Sequence, residues 1–197
     1  MRVIAGVAKG RPLLAPKRLA IRPTADKVKG AIFSMLTAEG FRRRDEDPGA
    51  SDFPFHRVLD LYAGTGALGI EALSRGAESV DFVEASPRAR AIIHQNLERT
   101  GLAPKAAVHG LRVETALSTF RLLYDLILLD PPYLDPTVSW VLAALGRSAI
   151  LARRALVVVE HARTTELRTE AGALHLVRRK YHGTTAISLF RHVQEAP

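Results

Sequence analysis

The chain has 197 residues, 47% of them hydrophobic, and carries 28 Lys or Arg against 20 Asp or Glu for a net charge of +8. That length fits one domain with a sizeable core and requires no second one. The absence of cysteine excludes disulfides, thiolate zinc sites and cysteine-bound iron–sulfur clusters. The seven histidines are scattered without ligand spacing, so no metal is expected. No secretory segment and no apolar run near the ~18 residues of a membrane span is visible, and the expected location is cytoplasmic.

Charge is concentrated at the start. Residues 1–30 contain eight Lys or Arg and one acid, Asp26, for +7, which leaves +1 for the remainder. A basic arm on a nearly neutral body is the electrostatic footprint of phosphate binding, although a solvated terminus would look the same. Gly6, Gly10 and Pro12 between short apolar stretches predict a small hairpin or irregular arm over residues 1–22. Its cations Arg2, Lys9, Arg11, Lys17, Arg18 and Arg22 are candidates for RNA contact. From Thr24 the chain reads as a helix, with Val28, Ala31, Ile32, Met35 and Leu36 on one face. Residues 40–56 mix charges with Pro and Gly and read as an exposed linker.

Next comes a buried-strand pattern ending at Asp60-Leu61. It runs into the turn Gly64-Thr65-Gly66-Ala67-Leu68-Gly69, a helix over Ala67 to Arg75, and a strand Val80 to Val83 that finishes on Glu84. Strand, glycine turn, helix, strand and acid in that order fit a nucleotide-like ligand, with Glu84 placed for ribose hydroxyls. A nicotinamide or flavin would suit the glycines equally. Asp60 inside the strand end favours a cation over a pyrophosphate, and S-adenosylmethionine carries an amino group and a sulfonium but no phosphate.

Pro87 to Thr100 reads as a helix, Ala106 to His109 and Tyr124 to Leu129 as strands, Pro136 to Leu145 as a helix, and Ala155 to Val159 and Ala186 to Phe190 as strands. The last follows the basic run Arg178-Arg179-Lys180. Alternation of this kind predicts an α/β fold, a mainly parallel central sheet with helices on both faces. Ligands then bind where the strands end, so Gly64, Glu84 and Asp130 should converge. Asp130-Pro131-Pro132-Tyr133 directly follows an apolar strand. The Asp130 carboxylate and the Pro131 carbonyl can both accept from an exocyclic amine, proline rigidity fixes that acceptor, and Tyr133 can stack on the extruded base. A strand that merely ends at Pro-Pro is the plain alternative. The tetrad alone does not choose among adenine N6, cytosine N4 and guanine N2.

Several segments together resemble the RsmD family of bacterial 16S rRNA guanine-N2 methyltransferases. They are Arg2-Val3-Ile4-Ala5-Gly6, Arg22-Pro23-Thr24-Ala25-Asp26, the run from Leu61 through Gly76 that ends Glu71-Ala72-Leu73-Ser74-Arg75-Gly76, and the tetrad. The resemblance implies a Rossmann-like class I methyltransferase over residues 23–197 preceded by an RNA-contacting hairpin. S-adenosylmethionine would be the methyl donor and guanine 966 of 16S rRNA in a small-subunit particle the target, with a monomer acting. It implies catalytic roles for Asp130, Pro131, Pro132 and Tyr133. It implies cofactor contacts from Thr24, Asp60, Tyr62, Ala63, Gly64, Thr65, Gly66, Leu68 and Glu84, with Arg22 and the Pro-Thr turn near the methionine end. Tyr62 stands where the wider methyltransferase pattern has its first glycine, and His109-Gly110-Leu111-Arg112 lacks the acid or amide that commonly touches adenine. An adenine-N6 methyltransferase is the nearest alternative, with a nicotinamide oxidoreductase and a non-catalytic RNA-binding module more remote.

Overall fold

A computed structural model describes residues 1–15, 23–46, 53–132 and 135–193. Lys17, Arg18, Arg22 and Tyr133 lie outside the described residues, and Thr24 falls in the first turn of a helix. The helices are α1 (Pro23–Glu46), α2 (Ala67–Arg75), α3 (Pro87–Thr100), α4 (Val113–Thr119) and α5 (Val138–Leu145). The strands are β1 (Arg57–Leu61), β2 (Ser79–Val83), β3 (Ala106–His109), β4 (Tyr124–Leu129), β5 (Leu151–Ala162), β6 (Glu170–Ala171), β7 (Leu174–His182) and β8 (Thr185–His192). No described helix is long and apolar enough to cross a membrane.

The strands form one eight-stranded sheet in the order β3-β2-β1-β4-β5-β8-β7-β6. The first five are parallel and the last three antiparallel. Strands buried on both faces need near-continuous apolar runs, and β4 supplies one: Leu126 and Leu128 face one core, Ile127 and Leu129 the other. The first core takes α1, α2 and α3 through Phe33, Leu36, Leu73 and Ile93; the second takes Val113 of α4 and Val141 and Leu142 of α5. The mainly parallel α/β sheet expected from the alternation is therefore present, and the reversal of strand order between β1 and β4 opens a crevice at their carboxyl ends.

The expectation of an exposed linker over residues 40–56 needs correction. Helix α1 continues to Glu46, and an ion pair between Glu39 and Arg191 of β8 ties that helix to the sheet. Phe53 and Phe55 are buried, their rings 5.0 Å apart in an edge contact, with Phe33 6.0 Å from Phe53. Local charge and proline content suggested exposure, but Phe53 and Phe55 supply apolar surface that packs into the core.

The N-terminal arm is a hairpin fixed to α2. Arg2 and Pro12 form an antiparallel bridge, and the Val3 amide donates to the Arg11 carbonyl at 3.0 Å. Glu71 of α2, fully buried, accepts from the Ile4 and Ala5 amides at 2.8 and 3.0 Å, from Lys29 Nζ at 3.1 Å and from Arg75 Nε at 2.9 Å. Ser74 Oγ accepts from the Ala8 amide and donates to the Ala5 carbonyl. A Cβ on Gly6 would lie 1.7 Å from the Ser74 carbonyl oxygen, so only glycine allows this approach. Asn96 of α3 closes the arm's far end, accepting from the Leu14 amide at 2.7 Å and donating to the Leu14 and Thr65 carbonyls.

Glu71→Ala leaves two arm amides without their acceptor and buried Lys29 without its counter-charge, with only the Arg2 carbonyl still accepting from it. It is expected to destabilise the fold by about 3–5 kcal/mol, measurable as a lowered urea midpoint. A midpoint equal to that of the unaltered protein would show that Glu71 does not anchor the arm.

Candidate active site

Register decides which side chains meet. Leu61 of β1 is paired with Val83 of β2 and with Leu129 of β4, and Leu129 with Val159 of β5. The next residue along each chain is Glu84, Tyr62, Asp130 and Glu160, so these four stand level with one another at the carboxyl edge, where β1, β2 and β4 end and β5 continues to Ala162. They open on a cleft of about 1060 Å³. Asp60, Tyr62, Ala63, Gly64, Thr65, Leu68, Glu84, Asp130, Pro131 and Pro132 all line it. Gly66 does not; it caps α2 beneath the cleft at φ 77°.

The glycine turn is built around a buried acid. Asp60, 1% exposed, accepts the Gly69 amide at 2.8 Å. A Cβ on Gly69 would stand 2.4 Å from the Phe82 ring and 2.9 Å from Asp60 Oδ2, so the helix can approach the strand this closely only with glycine there. Tyr62 holds φ at 59°, a left-handed value that costs a non-glycine residue about 1–3 kcal/mol. The position thus keeps the backbone of the glycine it replaces in the wider pattern. The Tyr62 hydroxyl meets Thr137 Oγ1 at 3.4 Å, and Thr137 in turn donates to Asp135 at 2.6 Å. Glu84 is oriented by two amides, Gly64 on Oε2 at 2.9 Å and Ser86 on Oε1 at 2.7 Å. Arg90 braces that turn by donating to the Glu84 and Ala85 carbonyls.

Six acids, Asp60, Glu84, Glu114, Asp130, Asp135 and Glu160, line the cleft against the cation Arg112. Burial pushes the Asp60 carboxyl up to about 8, opposed by the Gly69 amide and reinforced by Asp130 and Glu84. Desolvation by the cleft walls raises Asp130 also, although its side chain is exposed to the cleft and water entering there limits the rise. Among the described residues no group of His, Cys, Asp and Glu could hold a metal ion.

Leu111, Arg112, Val113 and Glu114 also line the cleft, with Ala85 beside Glu84. Sequence reasoning left the adenine-side contact at this strand end unassigned and did not anticipate α4. His109, the last residue of β3, turns away to Asp81 at 2.7 Å, where the Tyr124 hydroxyl also donates at 3.0 Å. Arg2, Lys9 and Arg11 are exposed on the arm. Arg2 and Lys9, with Lys27 and Asp26, line a separate recess of about 390 Å³.

A family profile described as Conserved hypothetical protein 95 matches residues 1–191. The chain belongs to that family. It is the RsmD family to which the motifs point, and the fold is the Rossmann-like methyltransferase fold. YlbH of Bacillus subtilis (strain 168), an rRNA methyltransferase by name, is 35% identical over 198 residues, spanning 97% of this chain and 98% of its own. Ribosomal RNA small subunit methyltransferase D of Escherichia coli (strain K12) is 29% identical over 191 residues, 97% of this chain and 89% of that protein. Among solved structures, that of yhhF from Escherichia coli, a methyltransferase by name, superposes with a TM-score of 0.79 at 28% identity, covering 98% of this chain and 97% of that one.

In this RsmD-family chain the buried Asp60 opposes stability. Its folded pKa of about 8 exceeds the ordinary carboxylate value, so the folded state retains a proton that the unfolded state has released. Stability falls as pH rises from the usual carboxylate range through about 8. Asp60→Asn, which keeps an acceptor for Gly69, is expected to melt like the unaltered protein at acid pH and progressively higher as pH approaches 8. Parallel melting curves across that range would contradict the buried-acid reading.

Proposed function

We propose that this chain transfers a methyl group from S-adenosylmethionine to the exocyclic N2 of a guanine in 16S rRNA, the residue at position 966, within a small-subunit particle. The observation that carries the reading is the acid-lined cleft of an otherwise basic protein. Those acids repel a pyrophosphate and attract an ammonium and a sulfonium, which disfavours a nicotinamide. Family membership and the names of YlbH and the Escherichia coli enzyme support rRNA as substrate. Guanine N2 and the position rest on the resemblance to the latter at 29% identity.

The cleft suits the cofactor in size and donor chemistry. Glu84, prepositioned by two backbone amides, would take the ribose hydroxyls with its remaining lone pairs. The Gly64 turn would admit the cofactor close to the backbone, Leu111 and Val113 would flank its adenine, and Asp60 would sit beneath its positive charge. When bound, S-adenosylmethionine supplies an electrophilic methyl group. Asp130 and the Pro131 carbonyl would accept both amine hydrogens of the target base, which localises the nitrogen lone pair and aims it; positioning of that kind lowers barriers by roughly 7–11 kcal/mol. As nitrogen takes the methyl it becomes positive, and the Asp130 carboxylate stabilises that charge. The surplus proton would then pass by way of Asp130 to water, with S-adenosylhomocysteine as the other product. Tyr133 would stack on the base.

Labelled S-adenosylmethionine incubated with unmodified small-subunit particles, followed by nucleoside digestion, tests the reading. N2-methylguanosine is the expected product; label in N6-methyladenosine would overturn the base, and no labelled nucleoside would overturn the RNA substrate. Asp130→Ala is expected to lower turnover by at least about 10²-fold while cofactor binding persists. Normal turnover in that variant would sink the mechanism.

A further inference from the structure

Beyond the cleft, the carboxyl edge of the sheet continues onto the β7–β8 hairpin. Glu160 of β5 is paired with Ile187 of β8, and Ile187 with Lys180 of β7, so Lys180 stands level with Asp130 and Tyr181 one residue nearer the rim. From β4 to β7 is three strand spacings, about 14 Å, a reach of a few nucleotides from the base-binding tetrad. Tyr181 is 52% exposed, and the Arg163 guanidinium lies over its ring, 5.0 Å from the centroid.

We propose that Tyr181 and Arg163 form a second RNA-binding platform, on which a nucleotide flanking the target base stacks while Arg163 takes its phosphate. The inference rests on the reading of this chain as an rRNA methyltransferase. An aromatic ring with a cation on it offers both partners that a single-stranded nucleotide needs, a π-face and a positive charge. The pair is not required to hold the hairpin. Full backbone pairing joins β5 to β8, the Arg163 amide donates to the Thr184 carbonyl at 2.8 Å, and Arg179 secures the neighbouring loop by donating to Ser188 Oγ and to the Leu167 carbonyl, each at 2.9 Å.

Charge supports the same partner. Arg163 is exposed and Lys180 half-buried on this rim, with the exposed Glu166 of the same loop opposing them in part. On the other side of the cleft, Met1 and Ala15 of the arm border its mouth and the arm exposes Arg2, Lys9 and Arg11. Cationic surface therefore flanks an acidic cleft from both sides. A strand lying across the mouth meets phosphate-binding groups at each end, while the acids face only the base that has left it.

Steady-state methyl transfer to unmodified small-subunit particles, with Tyr181→Ala, Tyr181→Phe and Arg163→Gln beside the unaltered protein, tests the platform. Tyr181→Ala is expected to raise KM for the particle about tenfold or more, the loss that goes with one base–aromatic stack. Its kcat, its KM for S-adenosylmethionine and its melting temperature should stay unchanged, and Tyr181→Phe should behave like the unaltered protein. Arg163→Gln should flatten the dependence of log affinity on log salt by about one. An unchanged particle KM in Tyr181→Ala, or an equal rise in Tyr181→Phe, would overturn the platform. Equilibrium binding of 16S rRNA to the same variants reads the platform independently of methyl transfer. Failure of the unaltered protein to methylate any nucleoside would count against the proposed function instead.

Discussion

The cleft is organised around a carboxylate placed where carboxylates are unstable. Asp60 is the penultimate residue of a strand buried on both faces, with one backbone amide to hold it, and its surroundings favour the neutral acid. A buried acid in that position is tolerated because the flanking elements are over-determined: β1 is paired on both sides, and two apolar cores clamp the sheet. The same constraint shapes the turn above it. Gly69 has to be glycine for the amide to reach Asp60, and Tyr62 is held in a left-handed conformation that carries the chain over the cleft and back into α2. Stability is given up locally so that a cation entering the cleft finds acids already in place.

The arm is coupled to this centre through α2. One face of that short helix buries apolar side chains against the sheet; the other presents Glu71, Ser74 and Arg75 to the arm. The Glu-Ala-Leu-Ser-Arg-Gly sequence is therefore structural: Glu71 and Ser74 take the arm's amides, Arg75 supports Glu71 and lies 4.8 Å from the centroid of Phe33, and Gly76 ends the helix. A basic surface needs a fixed position to contribute to orientation as well as to general attraction, and docking on the helix that follows the glycine turn gives it one.

Much of this was legible in the sequence. Helices α2 and α3 and strands β3 and β4 begin and end where periodicity and capping residues place them, because Ser86, Pro87, Gly76 and Gly101 act locally. Convergence of Gly64, Glu84 and Asp130 followed from parallel strands sharing a carboxyl edge. What escaped depends on long-range partners. β7 reads Leu-His-Leu-Val-Arg-Arg-Lys-Tyr-His and owes its strand conformation to pairing with β8, so local composition showed only a basic run. The 111–114 wall carries no motif, since its backbone position rather than its side-chain chemistry puts it in the cleft. Glu39 of α1 is paired with Arg191, 152 residues away, a contact that no local pattern shows.

The central claim is that raised acids at the cleft floor recognise positive charge. A cation bound beside them must pull their pKa values down and release protons near neutral pH. The most direct measurement is calorimetric titration of S-adenosylmethionine and of S-adenosylhomocysteine, which lacks the sulfonium charge, in buffers of differing ionisation enthalpy at pH 7. The account predicts net proton release with S-adenosylmethionine and a smaller release with S-adenosylhomocysteine. Heats that do not depend on the buffer, or equal release with both, would contradict it.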